Sequence, residues 1–312
     1  MASIILKIIL TTFKKKTSLT LPINEVSHNL VREKPIIALY GSLQIGKSIL
    51  LNCFMGRYAA LTGNGLATTS LTARYRYGDT ERIQYRKYSG ELQDISIDEL
   101  FRRKSFTELT DMAVGSSFNI EARIPSELLR YCDIVDTPGF NANAKDTDTA
   151  LGVLENVNYC LYVISNLEMK QLDRTMLRHL CMTGIPISVI MNCKDGRSQK
   201  KWIPSHPVNV KFIQAADAWL KSAGLEVLPL AGQNIFPCNA LFHWSLQRDF
   251  EVSMKYIDQS DTVREDISEL ICKEGNIDSR ENILSLSRIT ELIMALKERV
   301  TGYDPVSHKW RR

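Results

Sequence analysis

The residues best suited to do chemistry lie in one short string, Gly41-Ser42-Leu43-Gln44-Ile45-Gly46-Lys47-Ser48, which has the spacing G-x-x-x-x-G-K-S. That spacing suits phosphate. Oxyanions need several backbone N–H groups converging on them, and Gly41 and Gly46 let a loop wrap closely without Cβ clashes. A helix starting at the end of the loop adds its free N–H donors and the positive end of its dipole. Lys47 then supplies a point charge for the β- and γ-phosphates, and the Ser48 hydroxyl is placed to bind Mg²⁺. The expected phosphate-binding set is Gly41, Ser42, Gln44, Ile45, Gly46, Lys47, Ser48 and Ile49.

Three later stretches extend this loop toward a guanine-nucleotide site. Asp136-Thr137-Pro138-Gly139 follows the apolar run Ile134-Val135; there an aspartate can reach Mg²⁺ through a water, and the Gly139 N–H can meet a γ-phosphate oxygen. Asn192-Cys193-Lys194-Asp195 follows ISVIM and is close to Asn-Lys-x-Asp, the pattern whose carboxylate accepts from the two guanine N–H groups. Asn192, Lys194 and Asp195 are therefore expected at the base. Cys193 stands where the ring-lining lysine is usual, and Lys194 comes one place later. In Pro237-Cys238-Asn239-Ala240, the Asn239-Ala240 step is expected to offer a backbone N–H to guanine O6, a weaker signal by itself.

The elements that must position these residues can be read from hydropathy. Residues 36–39 form a short apolar run before the loop, and Ile49, Leu50, Leu51 and Phe54 mark the apolar side of a helix after it. Residues 57–70 lack periodicity and read as a loop. Residues 71–77 resume as a strand, with 82–88 as a hairpin partner across the Gly78-Asp79 turn. Ser96 and Glu99 are spaced as a capping box for a helix running toward residue 103. Strands follow at 118–124 and 131–135, then a loop at 141–147 and a helix near 149–156. Next come a strand at 160–164, a helix at 171–182, a strand at 187–191, a helix stopping at Gly224 and a short strand at Ile235-Phe236. Helices near 240–250, 263–272 and 288–300 complete the chain, the last with an apolar stripe of Ile289, Leu292, Ile293, Leu296 and Val300. This alternation predicts an α/β fold: a mostly parallel central sheet with helices on both faces and an antiparallel edge insertion at 71–88.

Of 312 residues, 39 are basic and 35 acidic, a net charge of +4, which gives no strong nucleic-acid signal. Seven cysteines without a C-x-x-C pair read as free thiols of a reducing, cytoplasmic compartment. No run reaches the ~20 apolar residues of a spanning helix. The N-terminus sets Ile4, Ile5, Leu6, Ile8, Ile9 and Leu10 before Lys14, Lys15 and Lys16, the reverse of a secretory signal. Two readings stay open for it: a segment packed on the domain, or a peripheral contact with the anionic inner face of a membrane.

The strings PIIALYGSLQIGKSILLNCFMGR, LATTSLTARYRYGD, IPSELLRYCDIVDTPGFN and VIMNCKDG, in that order, resemble the GTPase domain of the dynamin superfamily, in particular its bacterial dynamin-like branch. The resemblance covers roughly residues 33–245 and implies a P-loop NTPase fold, the G domain, hydrolysing GTP to GDP with Mg²⁺. By position, Thr69 matches the switch threonine that completes the Mg²⁺ shell, with Thr68 the second choice; Ser48, Thr69 and Asp136 are thus the implied metal set. Lys47, Gln44 and Thr69 are the implied catalytic residues, although Gln44 stands where family members often carry serine or asparagine. Domains of this kind commonly pair across the nucleotide face, so a G-domain dimer or a larger dynamin-like partner chain is expected. The expected organisation is an N-terminal segment (1–32), the G domain (33–250) and C-terminal helices packed on it (251–312). The chain ends about 70 residues after its last nucleotide motif, so a full helical stalk is not expected. The alternatives to a switch or partner subunit are an Era-like RNA- or ribosome-associated GTPase, and a nucleotide-binding scaffold with little turnover.

Overall fold

The first strand, β1 (Ile36–Tyr40), divides its side chains between two cores: Ile37 and Leu39 face one, Ala38 and Tyr40 the other, and all four are fully buried. The computed structural model describes residues 34–60, 72–96, 99, 118–139, 150–165, 169–193, 204–246, 284–304 and 309–310. In chain order β1 is followed by helix α1 (Lys47–Met55) and strands β2 (Ala73–Tyr77), β3 (Arg82–Arg86), β4 (Leu92–Asp94), β5 (Ile120–Ile124), β6 (Asp133–Asp136) and β7 (Tyr159–Ser165). Then come α2 (Gln171–Met182), β8 (Ile187–Asn192), α3 (Pro207–Ser222), β9 (Ile235–Cys238), α4 (Ala240–Leu246), α5 (Ile289–Thr301) and the short pair β10 (Tyr303–Asp304) and β11 (Lys309–Trp310).

Among the described residues nine strands form one sheet in the order β4-β3-β5-β2-β6-β1-β7-β8-β9. From β6 through β9 all neighbours are parallel. The sequences differ accordingly. β6 and β8 are buried at every position and β7 at all but its last, as strands covered on both faces require. In β2, β3 and β5 buried and solvent-facing residues alternate, Ala73 and Tyr75 against Arg74 and Arg76 for example, so one face of this half meets water.

Helices cover both faces of the parallel half. Leu50, Leu51 and Phe54 of α1, Trp244 of α4 and Ile289, Leu292, Leu296 and Val300 of α5 pack on Ile37 and Leu39. Met176, Leu177 and Leu180 of α2 and Ala216 and Leu220 of α3 pack on Ala38 and Tyr40. Each such aliphatic side chain removed from water contributes roughly 1.5–3 kcal/mol before chain entropy is counted. The final pair, β10 and β11, is fastened to the sheet by Trp310. Its ring lies 5.1 Å from Tyr159, and its indole N–H donates to Asn158 O at 3.2 Å.

One expected pairing is wrong. β2 and β3 are not a hairpin, because β5 lies between them, parallel to β2 and antiparallel to β3. Gly78 shows why. Its N–H donates to Ile124 O at 3.2 Å, and a Cβ there would sit 2.7 Å from Arg123 Cβ, so the chain leaves β2 by crossing over the end of β5. This half of the sheet therefore grows outward from β2 as four strands of mixed direction, parallel between β2 and β5 and antiparallel from β5 through β3 to β4, and the three-residue β4 forms its edge. The helix expected near 149–156 ends as a 3-10 turn, Val153–Asn156. Of the helix expected from Ser96, the described part includes the Glu99 N–H donating to Ser96 Oγ at 3.0 Å. The segments 1–32, 141–147 and 263–272 lie outside the described residues.

Candidate nucleotide site

At the end of β1 the chain turns through Gly41–Gly46 into α1, and the turn demands particular residues. Gly41 has φ +146°, and a Cβ there would lie 2.4 Å from the Val163 carbonyl oxygen and 2.2 Å from Ile45 Cδ1. Only glycine fits. Gly46 (φ 87°) caps α1 in the left-handed region, and the exposed Gln44 (φ 61°) sits in that region without being glycine. Asn and Asp tolerate that region best among side-chain-bearing residues, so a glutamine there marks a locally constrained loop tip.

Lys47 is the first residue of α1 and is almost wholly buried. Its ammonium donates to Gly41 O and Ser42 O, both at 3.1 Å, and so reaches back across the loop. Burial pushes its pKa down to about 8, against the opposing pull of Asp136 and Asp173. A charge held this way, with little water around it, is ready to exchange carbonyl partners for phosphate oxygens.

Asp136 ends β6, next to β1. Its Oδ2 accepts from Ser48 Oγ at 3.0 Å, and its buried Oδ1 has no hydrogen-bond partner among the described residues. Burial raises this carboxyl above its ordinary range, while Lys47, the Ser48 hydroxyl and the Thr137 N–H pull it back. A buried carboxylate oxygen with an open lone pair beside a serine hydroxyl is a donor set that fits Mg²⁺, which takes one or two protein oxygens and keeps several waters. The next residues hold the turn in place: Thr137 Oγ1 donates to Leu39 O at 2.6 Å, and Gly139 backs onto the loop so closely that a Cβ would lie 2.7 Å from Leu43 Cα.

Asn192 joins the phosphate loop to the base motifs. From the end of β8, its Nδ2 donates to Ile45 O at 2.8 Å, and its Oδ1 accepts from the Ala240 N–H at 3.0 Å. It is buried, so one carboxamide pins three loops. The Ala240 N–H is given to Asn192 and the Asn239 N–H to Ser287 O at 2.9 Å, so the donor expected for guanine O6 is engaged within the protein. Cys193 is buried as well, its thiol pushed up to about 12 by burial, and it accepts from Asn209 Nδ2 of α3 at 3.6 Å. It packs into the core on the face of the sheet that α2 and α3 cover.

The sheet thus brings the residues of the 41–49 loop, Asp136, Gly139, Asn192, Asn239 and Ala240 to the carboxyl ends of β1, β6, β8 and β9, the usual ligand-binding edge of such sheets. Thr68, Thr69, Lys194 and Asp195 lie outside the described residues. Two participants had little sequence signal. Asn52 of α1 is fully buried; its Oδ1 accepts from the Ala59 and Ala60 N–H groups at 2.9 and 2.7 Å, and its Nδ2 donates to Ala60 O at 3.0 Å, anchoring the chain just after α1. A single asparagine inside the apolar run ILLNCFM was the available clue. The other is Asp173, whose place three residues after Lys170 marks it only as a first-turn acid of α2.

The chain is similar to several known proteins. A family model described as the Dynamin family matches residues 37–190. Dynamin-like protein 2 of Campylobacter jejuni is 30% identical over 168 residues, which is 53% of this chain and 27% of that protein. The isoniazid-induced protein IniC of Mycobacterium tuberculosis is 32% identical over 111 residues, 35% of this chain and 22% of that one. A solved structure of an oligomerised bacterial dynamin pair, described as providing a mechanism for the long-range sensing and tethering of membranes, aligns at a TM-score of 0.47 and 20% identity, over 72% of this chain and 36% of that chain. The chain spans about a quarter of the length of the curated relatives it matches. Among the described residues no helix is long and apolar enough to cross a membrane.

Proposed function

The chain carries a GTPase domain of the dynamin family, and on that footing we propose that it binds GTP with Mg²⁺, hydrolyses it to GDP and phosphate, and serves as a switch or as a partner of another G domain. The observation that carries this reading is the meeting of two arrangements at one sheet edge: Lys47 drawn across its own loop, and Ser48 paired with an Asp136 whose other, buried oxygen has no partner among the described residues. In this reading Lys47 and the loop N–H groups take the phosphates. Bound Mg²⁺ would draw off charge between the β- and γ-phosphates. Ser48, Asp136 and Thr69 would hold it, Gly139 would sense the γ-phosphate, and Asp195 would choose guanine while Asn192 keeps the base loops in register.

Completion of the site by a second G domain is the favoured partner reading. Residues 41–48 contain no arginine, and Arg57, the nearest one before Thr69, is held by Glu81 at 2.7 Å. Charge on the transferring phosphoryl then calls for a group from outside the chain. The base assignment is tested by titrating GTP and ATP separately and by Asp195→Asn, which should move preference toward xanthosine triphosphate. Equal affinity of the unaltered protein for GTP and ATP would sink it.

A further inference from the structure

Asp173 lies outside every nucleotide motif, yet it touches the phosphate loop from below. It belongs to the first turn of α2 and is nearly fully buried. Its Oδ1 accepts from Ser42 Oγ at 2.7 Å and from the Tyr162 hydroxyl of β7 at 3.0 Å, and its Oδ2 accepts from the Lys170 N–H at 3.1 Å. Ser42 is buried too, so its hydroxyl is turned toward α2. The same residue's carbonyl receives the Lys47 ammonium. A chain of contacts therefore runs from Asp173 to the Ser42 hydroxyl, then through the Ser42 backbone to Lys47.

We propose that Asp173 is a positioning residue of the phosphate loop: by holding the Ser42 hydroxyl it fixes the loop backbone, and with it the carbonyls and N–H groups that set where Lys47 and the phosphates meet. The inference rests on the reading of residues 41–48 as a nucleotide-phosphate loop. Stability alone does not account for the arrangement, since a buried carboxylate is costly and an apolar side chain packed between β7 and α2 would serve a core at least as well. Here the carboxylate is fully supplied with donors, and one of the three comes from the loop itself. Hydrogen bonds to a charged acceptor are short and directional, which suits a part that must not drift.

The test is a double-mutant cycle on the full chain, using a fluorescent GDP analogue with Mg²⁺ as the probe and thermal unfolding in parallel. Ser42→Ala removes only the loop's hydroxyl. Asp173→Asn removes the charge but keeps the shape, and the two hydroxyls it faces can rotate to donate or accept. Each single variant should weaken nucleotide binding on the order of tenfold, and the double variant should be no weaker than the worse single one. Leu296→Ala, which destabilises the core on the other face of the sheet, should lower the melting temperature without changing affinity. Unaltered affinity in both Ser42→Ala and Asp173→Asn, with only the melting temperature reduced, overturns the proposal; so do effects that simply add. Lys47→Ala in the same assay keeps the two readings apart. If the unaltered protein binds no nucleotide the phosphate-loop reading itself fails, whereas loss of binding in Lys47→Ala beside normal binding in the Ser42 and Asp173 variants refutes the role of Asp173 alone.

Discussion

Replacing Asn192 with alanine should damage both the fold and the nucleotide site, and the size of the effect follows from two contacts. The carboxamide donates to Ile45 O at 2.8 Å and accepts from the Ala240 N–H at 3.0 Å, inside a site shielded from water. Alanine removes both partners at once. A buried polar group left without a partner costs about 1–3 kcal/mol, so orphaning both Ile45 O and the Ala240 N–H should lower stability by about 2–6 kcal/mol. Asn192→Asp should be intermediate, because an oxygen can still accept from Ala240 while the other carboxylate oxygen meets Ile45 O with no proton to share. Urea unfolding checks this: the midpoint should fall in the order native, Asp, Ala with the slope unchanged. Nucleotide affinity, measured well below each midpoint, should fall in the same order because the phosphate loop and the base loops lose their common tie. An Asn192→Ala protein within 1 kcal/mol of the native one and with unaltered affinity would refute the claim that this residue joins the loops.

Further expectations concern the loop, the acid limb and assembly. Gly41→Ala should prevent the loop from forming, since its Cβ would lie 2.4 Å from the Val163 carbonyl oxygen, whereas Gly152→Ala, with nothing within 4 Å, should be neutral or stabilise by roughly 0.4–1 kcal/mol; thermal melts of the two variants compare them directly. His243 is buried beside Ser287 Oγ at 2.9 Å, and burial holds its pKa down to about 4. The unfolded chain therefore takes up a proton between about pH 6.5 and 4 that the folded chain refuses, and stability falls with acid by up to about 3 kcal/mol in that window. The difference between native protein and His243→Gln across a pH series isolates this contribution, and it should vanish above pH 7. If pairing completes the site, the initial hydrolysis rate per molecule should rise with protein concentration. A flat rate from a persistent monomer would rule pairing out and make Gln44→Ala the informative variant.

Much of the site could be read from sequence because its motifs are local. Gly41, Gly46, Lys47 and Ser48 are adjacent, and what they need from the fold is only a strand before them and a helix after, both visible as apolar runs. The parallel strands were legible for a related reason: uninterrupted runs such as CLYVI and ISVIM can be buried on both faces. The mixed half of the sheet was harder. A glycine-aspartate turn between two alternating segments reads as a hairpin, and nothing local reveals that β5, more than thirty residues further on, takes the place between them. Long-range polar ties were hidden for the same reason. Asn192 was legible as part of a base motif but not as the tie between Ile45 and Ala240, which also uses the N–H expected at the guanine. Asp173 meets Ser42 across 131 residues and Cys53 meets the Ala240 carbonyl across 187, separations over which residue spacing carries no information.

The most direct test of the central assignment is single-turnover phosphate release from GTP at high protein concentration, with Mg²⁺ present and then removed by a chelator, for the native protein and for Lys47→Ala. A guanine-nucleotide hydrolase built on Lys47, Ser48 and Asp136 should release phosphate only with Mg²⁺, and the Lys47→Ala protein should release none. No release by the native protein across the whole concentration range, or release that survives in Lys47→Ala, would contradict it.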